Sequence, residues 1–556
     1  MKVPKRLAHP GSLFVAFWLL LILIYGPAYK AGWFTDFLDT VYLARTQSFS
    51  DFINRAGIIN KSFYQLTQIL LYGLIHLFGV SAVSWLLLFT GLHALNGVLA
   101  IRFFSRFLSL LNYNGSTAAI LGVVFFLFNP VQAEVLIWRA SFHYLTGLAI
   151  ILLILNWTIS WLHKPSSRLL LQILVLFLAS TFTLEIFYLT PAFVCVILIA
   201  LFWSKSIDYR LFIKGIKQIF LPLAGIWIVY WISFNVIHGQ SIAHYDFNLQ
   251  EAFSWQSAGP KLLRNLVHVW FAEYFFPGAI RSEFYSVAAG KAARYFLAIV
   301  ILFTVLAGFI RFRKMRPVWK VVYTSWILSL ISLILILPFW LKDSLMYTND
   351  RYYYVPSLFL LLLLAVSVVQ IRQKILRYTI GGIYLVFCLL GTIHIVLKAR
   401  EAGQVFYSMI DSFRWQDRSH VVFLNLPNNL EGIGIIPAGT PRYFNMHLFV
   451  FDKDTIKGRV YDAASYNLID RENGAHVTVL DSVTLKVTLN QWGTWWWGRN
   501  HGLTSHENEL YQLDLTDPGH EYIMKFKQRP ADMVVLYQVG ISWKEVSFDK
   551  RGEEQW

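Results

Sequence analysis

The sequence predicts an α-helical polytopic membrane protein of about eleven transmembrane helices, followed by a C-terminal β-rich domain outside the membrane. Three observations predict it. Apolar runs of bilayer length recur through the first 400 residues, Lys and Arg gather in alternate turns between them, and acids crowd into the end of the chain.

The chain has 556 residues, 56% of them hydrophobic and only 14% charged. Soluble domains carry roughly 25% charged residues. So low a share in so long a chain means that much of the surface faces lipid. The 17% aromatic share suits a protein whose Trp and Tyr line membrane interfaces.

A bilayer core of ~30 Å needs about 20 apolar residues at ~1.5 Å each. Runs that meet or nearly meet this are 11–29, 82–104, 115–129, 141–162, 169–185, 186–204, 219–237, 293–310, 319–341, 355–370 and 378–397. Residues 62–80 carry Gln65, Gln68 and His76 and read as an interfacial or partly inserted helix. The first run follows a basic start, but Pro27, Tyr29 and Lys30 make a poor cleavage site. It reads as a retained anchor.

Orientation follows from charge. With Lys2, Lys5 and Arg6 in the cytosol, the cytosolic turns carry Arg102/Arg106, Lys164/Arg168, Lys205/Arg210/Lys214/Lys217, Arg311/Arg313/Lys314/Arg316/Lys320 and Arg372/Lys374/Arg377, with one acid, Asp208. The opposite loops hold the remaining acids of the membrane half. All six basic segments agree with one orientation under the positive-inside rule. The expected location is therefore the inner membrane, with the N-terminus cytoplasmic and the C-terminal domain extracytoplasmic.

Up to residue 397 there are 12 acids, and the other 20 of the 32 lie in the last 159 residues. The net charge of +16 thus belongs to the membrane half, as a topology signal. No Lys/Arg run with interleaved aromatics suggests nucleic-acid binding. Cys195 and Cys388 lie in apolar runs, which excludes a disulfide framework in the soluble part.

Residues 1–400 are taken as the transmembrane domain and 401–556 as the soluble one. Residues 401–417 pattern as an amphipathic helix leaving the membrane. Strand-like runs follow, VVFLNLP, HLFVFD, HVTVLD, LKVTL and DMVVLYQVGISW, punctuated by Gly, Pro, Asn and Asp.

A carboxylate at the centre of a span costs roughly 2.5–3.5 kcal/mol, so acids at span ends are functional candidates. In WFTDFLDT, Asp36 and Asp39 stand three apart and share a helix face. They suit a general base with its partner, or equally a capping or solvated pair. In FNPVQAEVLIWRASFHYL, Glu134, Trp138, Arg139 and His143 offer acceptor, stacking face and donor to sugar hydroxyls, although His143 alone also fits a structural interface histidine. Glu185 is an isolated carboxylate at a tight hairpin. In LKDSLMYTNDRYYYVPS, Asp350 and Arg351 precede three tyrosines. Arg351 suits a phosphate group, or an aromatic belt with a snorkelling arginine. His93 and Asn96 lie within a span and read as helix–helix bonds. No Walker loop, GxSxG, HExxH or CxxC pair is present, which argues against ATP-driven transport and the commoner hydrolases.

Taken in order, WFTDFLD (33–39), LHALN (92–96), NPVQAEVLIW (129–138) and RYYYVPS (351–357) resemble motifs of the GT-C superfamily of membrane glycosyltransferases. That group includes protein O-mannosyltransferases, lipid A aminoarabinose transferases and bacterial family-39-like enzymes. The resemblance covers roughly residues 10–400. It departs in two places: the acidic motif is Asp-Phe-Leu-Asp rather than an adjacent pair, and Leu184 stands where many relatives have Lys.

The resemblance implies transfer of a sugar from a polyprenyl-phosphate donor to a glycan, lipid or protein acceptor on the outer face, with inversion. It implies Asp36 or Asp39 as base, Arg351 with Asp350 and Tyr352 at the donor phosphate, and Glu134, Trp138, Arg139, His143 and Glu185 around the sugar or acceptor. Two near carboxylates can hold a divalent metal, but nothing requires one. The alternatives are a secondary transporter, a lipid-linked glycan flippase or a polymerase. Transporters place ionisable groups at the midplane and often repeat their topology, and neither trait is evident here.

Overall fold

The computed structural model describes residues 10–29, 37–59, 64–183, 185–239, 262, 265–272, 290–334, 350–412, 418–431, 433–436, 442–452, 456–468, 473–489, 493–494, 496–497, 500–501, 505–517, 520–550 and 552–555. In chain order the membrane half forms α1 (Pro10–Tyr29), α2 (Phe37–Thr46), α3 (Phe49–Ile59), α4 (Gln65–Phe78), α5 (Ala82–Leu110), α6 (Ser116–Phe128), α7 (Ala133–Ile137), α8 (Phe142–His163), α9 (Ser167–Ser180), α10 (Leu189–Trp203), α11 (Tyr209–Gly215) and α12 (Leu221–His238). Then come α13 (Lys291–Arg311), α14 (Pro317–Ile334), α15 (Tyr354–Val369) and α16 (Lys374–Ser412).

Among the described residues, seven helices are long and apolar enough to cross a membrane. The count is eight if α6 and Pro130–Ile137 are one bent span. The chain is an integral membrane protein. Each of the eleven expected runs has helix within its described residues, but the helices differ in length, and fewer than eleven pass as spans. The 14 residues of α9 rise only about 21 Å, less than the ~30 Å hydrocarbon layer. Periodicity reports an apolar helix, and its length decides whether it can span.

At the centre, α5 packs on α1, α6 and α8, and α15 packs on α6 and α14. Gly122 of α6 lets α15 come close, since a Cβ there would stand 3.0 Å from the Leu362 Cα. By contrast, α13 turns Ile299, Leu302, Phe303, Leu306 and Phe309 outward, as a lipid-facing helix does. Between α6 and α7 the chain bends by 56°. Asn129 precedes a proline and is driven to extended backbone (φ −70°, ψ 132°), and its side chain accepts from Val131 N–H at 3.0 Å.

Helix α16 runs unbroken from residue 374 to 412, so the last span and the helix leaving it are one element. Beyond it the chain is strand-rich. Strand β1 (His420–Phe423) pairs in parallel with β2 (Arg459–Asp462) and β5 (Met533–Val539), and β5 pairs antiparallel with β6 (Ser542–Glu545). A second, six-stranded antiparallel sheet contains β3 (Ala475–Val479) and β4 (Thr484–Leu489), whose alternate residues are buried.

One expected strand is not a strand. HLFVFD (447–452) falls at the end of α17 (Arg442–His447) and in the π-helical turn Leu448–Asp452. A short unbroken apolar run does not distinguish strand from helix. Here tertiary contacts decide, because Phe449 packs edge-on to Tyr42 and His447 packs on Phe406 and Tyr407.

Candidate active site

Three segments far apart in sequence meet at the bend after α6. The turn Asp350–Tyr353, which opens α15, sits against Pro130–Gln132 and α7. Glu134 on α7 accepts from the Arg351 backbone N–H at 2.7 Å and from Arg351 Nη1 at 2.6 Å. The two side chains are 13% and 15% exposed. The guanidinium lies 4.2 Å from the Trp138 ring centre and 4.6 Å from that of Tyr352, and Nη2 donates to the Tyr352 hydroxyl at 3.3 Å. A cation between aromatic faces gains attraction from both rings, more so where water is scarce. Four residues expected from sequence, Glu134, Trp138, Arg351 and Tyr352, therefore form one cluster.

The same turn is fixed from below. Tyr354 takes its place through His93 Nδ1 at 2.7 Å and Asn96 Nδ2 at 3.1 Å. Asn96 also donates to the Leu145 carbonyl, and Gln132 Nε2 donates to Ser357 Oγ at 2.8 Å. The LHALN, NPVQAEVLIW and RYYYVPS segments are thus locked together by side-chain hydrogen bonds. His93 and Asn96 act as helix–helix bonds, as read from sequence. Buried polar groups of this kind are costly to leave unmet, so each bond specifies the register of its helix.

Asp350 is buried, with Oδ1 2.8 Å from His268 Nε2. The neighbouring Tyr353 hydroxyl donates to Asn265 Oδ1 at 2.8 Å, and its ring stands 4.7 Å from that of His268. His268 and Asn265 were not expected. They come from NLVHVWF (265–271), where a lone histidine in an apolar stretch carries no spacing signal.

The other expected residues fall around this cluster. His143 hydrogen-bonds through Nδ1 to the Tyr64 hydroxyl, and its ring lies on Tyr144, which meets Tyr352 edge-on. Arg139 lines a narrow cleft with Tyr25, Trp85 and Phe89. Asp39 lies in the first turn of α2, whose Phe37 packs on Trp85. Asp36 and the Glu185 side chain lie outside the described residues; the Glu185 backbone opens the turn Glu185–Tyr188. Among the described residues no group of three or more His, Cys, Asp or Glu could hold a metal ion.

Both oxygens of Glu134 are thus engaged by Arg351. A carboxylate that pins backbone and guanidinium at once fixes the cation's position before any ligand arrives. Such a cation suits an anionic oxygen, bound in a bidentate way or through one Nη.

No family model matches the chain, and no curated protein matches it either. Among solved structures it is similar to ArnT from Cupriavidus metallidurans bound to undecaprenyl phosphate, with a TM-score of 0.31 and 15% identity, over 81% of this chain and 89% of that one. A likeness this loose carries no assignment.

Proposed function

We propose that the chain is a membrane glycosyltransferase that takes its sugar from a polyprenyl-phosphate donor at the outer face of the inner membrane, the N-terminus lying in the cytosol. The observation that carries this reading is the Glu134–Arg351 pair between Trp138 and Tyr352, built from two of the segments that resemble GT-C motifs.

The donor phosphate approaches Arg351 from the Tyr352 side, and one of its oxygens replaces the long Nη2 contact to the Tyr352 hydroxyl. Trp138 offers a face to the sugar. Asp36 or Asp39 takes the proton of an acceptor hydroxyl, whose oxygen attacks the anomeric carbon. The bond from that carbon to the phosphate oxygen breaks, its electron pair leaves with the lipid phosphate, and the centre inverts. Arg351 meets the negative charge that grows on the leaving phosphate. Removing a donor of this kind typically slows the step by ~10²–10³-fold. The acceptor is a glycan, a lipid or a protein.

The test supplies purified protein in nanodiscs with radiolabelled polyprenyl-monophosphate sugars, with diphosphate-linked donors alongside, and envelope extract as acceptor source. Transfer from the monophosphate donor that falls at least a hundredfold in Arg351→Gln supports the reading. Equal transfer by the variant overturns the role of Arg351. Transfer from the diphosphate donor alone makes the protein a polymerase or ligase.

A further inference from the structure

A groove of about 560 Å³ opens between α13, α14 and the middle of α15. Ala307, Val322, Trp326 and Leu363 line it, with the exposed Phe303 at its rim, while Arg311, Lys314 and Trp319 stand at one end. Thr304 Oγ1 donates to the Ile301 carbonyl of its own helix at 2.9 Å, the Tyr323 hydroxyl of α14 donates across to the Val305 carbonyl of α13 at 3.1 Å, and the buried Trp326 indole N–H has no partner among the described residues. The floor exists because of Gly308. The Tyr323 ring lies directly on the α13 backbone there, and a Cβ at 308 would come within 1.9 Å of it.

This groove belongs to the opposite end of the bundle from Arg351. Leu363 lies twelve residues along the helix from Arg351, about 18 Å of rise, and the basic end lies beyond it. That end collects Lys205, Arg311, Arg313, Lys314, Arg316 and Lys320. None of these forms an ion pair among the described residues. Phe202 and Phe312 bring the two basic turns together, with the Arg313 guanidinium 5.8 Å from the Phe202 ring centre and Lys320 Nζ 5.8 Å from that of Phe312. The nearby acid in sequence, Asp208, caps the Leu211 N–H.

We infer that this groove binds an anionic phospholipid of the leaflet opposite the Arg351 site. An apolar groove open to the hydrocarbon layer holds acyl chain rather than water. A cluster of cations with no ion pair among the described residues, at the level of the headgroups, then selects a negative head. Beside the groove α13 exposes Ile299, Leu302, Phe303, Leu306 and Phe309, so the lipid enters laterally from the hydrocarbon layer. The inference does not depend on the reaction at Arg351.

The experiment is native mass spectrometry of the full-length protein released from nanodiscs of equimolar phosphatidylglycerol and phosphatidylcholine. The wild type is expected to retain one phosphatidylglycerol preferentially. Arg311→Gln combined with Lys314→Gln, both on exposed side chains, should cut that preference about tenfold or more. Leu363→Trp should fill the groove and remove the bound lipid of either kind. Equal retention of the two lipids by the wild type, or retention unchanged by both sets of substitutions, overturns the inference. So does displacement of phosphatidylglycerol by equimolar polyprenyl phosphate, which would assign the groove to the lipid carrier. Unchanged gel-filtration behaviour of the variants ties a loss to the groove.

Discussion

Glu134 holds Arg351 twice, by the backbone N–H and by Nη1, across 217 positions of sequence. Breaking a buried pair of this sort by removing one partner typically costs about 3–5 kcal/mol, because the other charge stays behind unpaired. Glu134→Gln should therefore lower thermal stability in detergent and abolish transfer together. Replacing both partners by Met removes both charges and should recover most of the stability, while transfer stays lost. If the double variant transferred sugar normally, the pair would be structural alone.

Tyr354 receives His93 and Asn96 at once, and all three are buried. Tyr354→Phe leaves the helices apolar and nearly unchanged in volume but strips both partners of their bond. A loss of about 1–3 kcal/mol is expected, read as a lower melting midpoint. Asn96→Ala added to Tyr354→Phe should cost less than the sum of the two single changes, since they share one bond. Full additivity would show that the bond contributes nothing.

How much of this was legible beforehand can be traced residue by residue. Apolar period and length placed the helices, because burial in lipid acts on every residue of a run. Glu134, Trp138, Arg351 and Tyr352 could be picked out because charges and indoles at span ends are few. Their mutual contact could not, since it depends on the bend at Asn129 and Pro130, which turns α7 toward α15. His268 was invisible for the same reason. Its partner Asp350 is 82 positions away, and no local pattern points there. HLFVFD failed as a strand because its conformation is set by α2 and α16, not by its own composition.

His447 is 5% exposed and packs on Phe406, Tyr407 and Phe451, and neither ring nitrogen has a hydrogen-bond partner among the described residues. Burial pushes its pKa from 6.5 down to about 4. Between those values the unfolded chain binds the proton and the folded one does not, so stability rises with pH across the window. Burial of the Asp462 carboxyl does the reverse, raising its pKa from 3.8 to about 6. There the folded state keeps a proton that the unfolded state has lost, so stability falls as pH climbs from 3.8 to 6. The two trends oppose each other over about pH 4–6. His447→Phe should leave only the Asp462 trend, with a domain more stable at pH 4 than at pH 6. Asp462→Asn should leave only the His447 trend and sharpen the loss on acidification. Denaturation of the C-terminal region followed at several pH values separates the two. Parallel profiles in wild type and both variants would contradict it.

The C-terminal region also reaches back to the candidate acids. Arg45, at the end of the helix that carries Asp39, donates from Nη1 to the Val450 carbonyl at 2.6 Å, and Tyr42 packs edge-on against Phe449, 5.0 Å between ring centres. The other end of that helix rests on Trp85 through Phe37. With both ends held, the helix keeps Asp39 in one place; with one released, it can swing about the other. A carboxylate displaced by about 1 Å from its substrate can lose roughly 10²-fold in rate. Arg45→Ala with Tyr42→Ala should therefore lower kcat by one to two orders of magnitude while leaving donor KM nearly unchanged, because the Arg351 cluster is untouched. Hydrogen exchange over residues 37–46 should rise in the same variant. Faster exchange with unaltered kcat would mean that this helix is scaffolding and that Asp39 is not the base, which leaves Asp36, the residue before the helix.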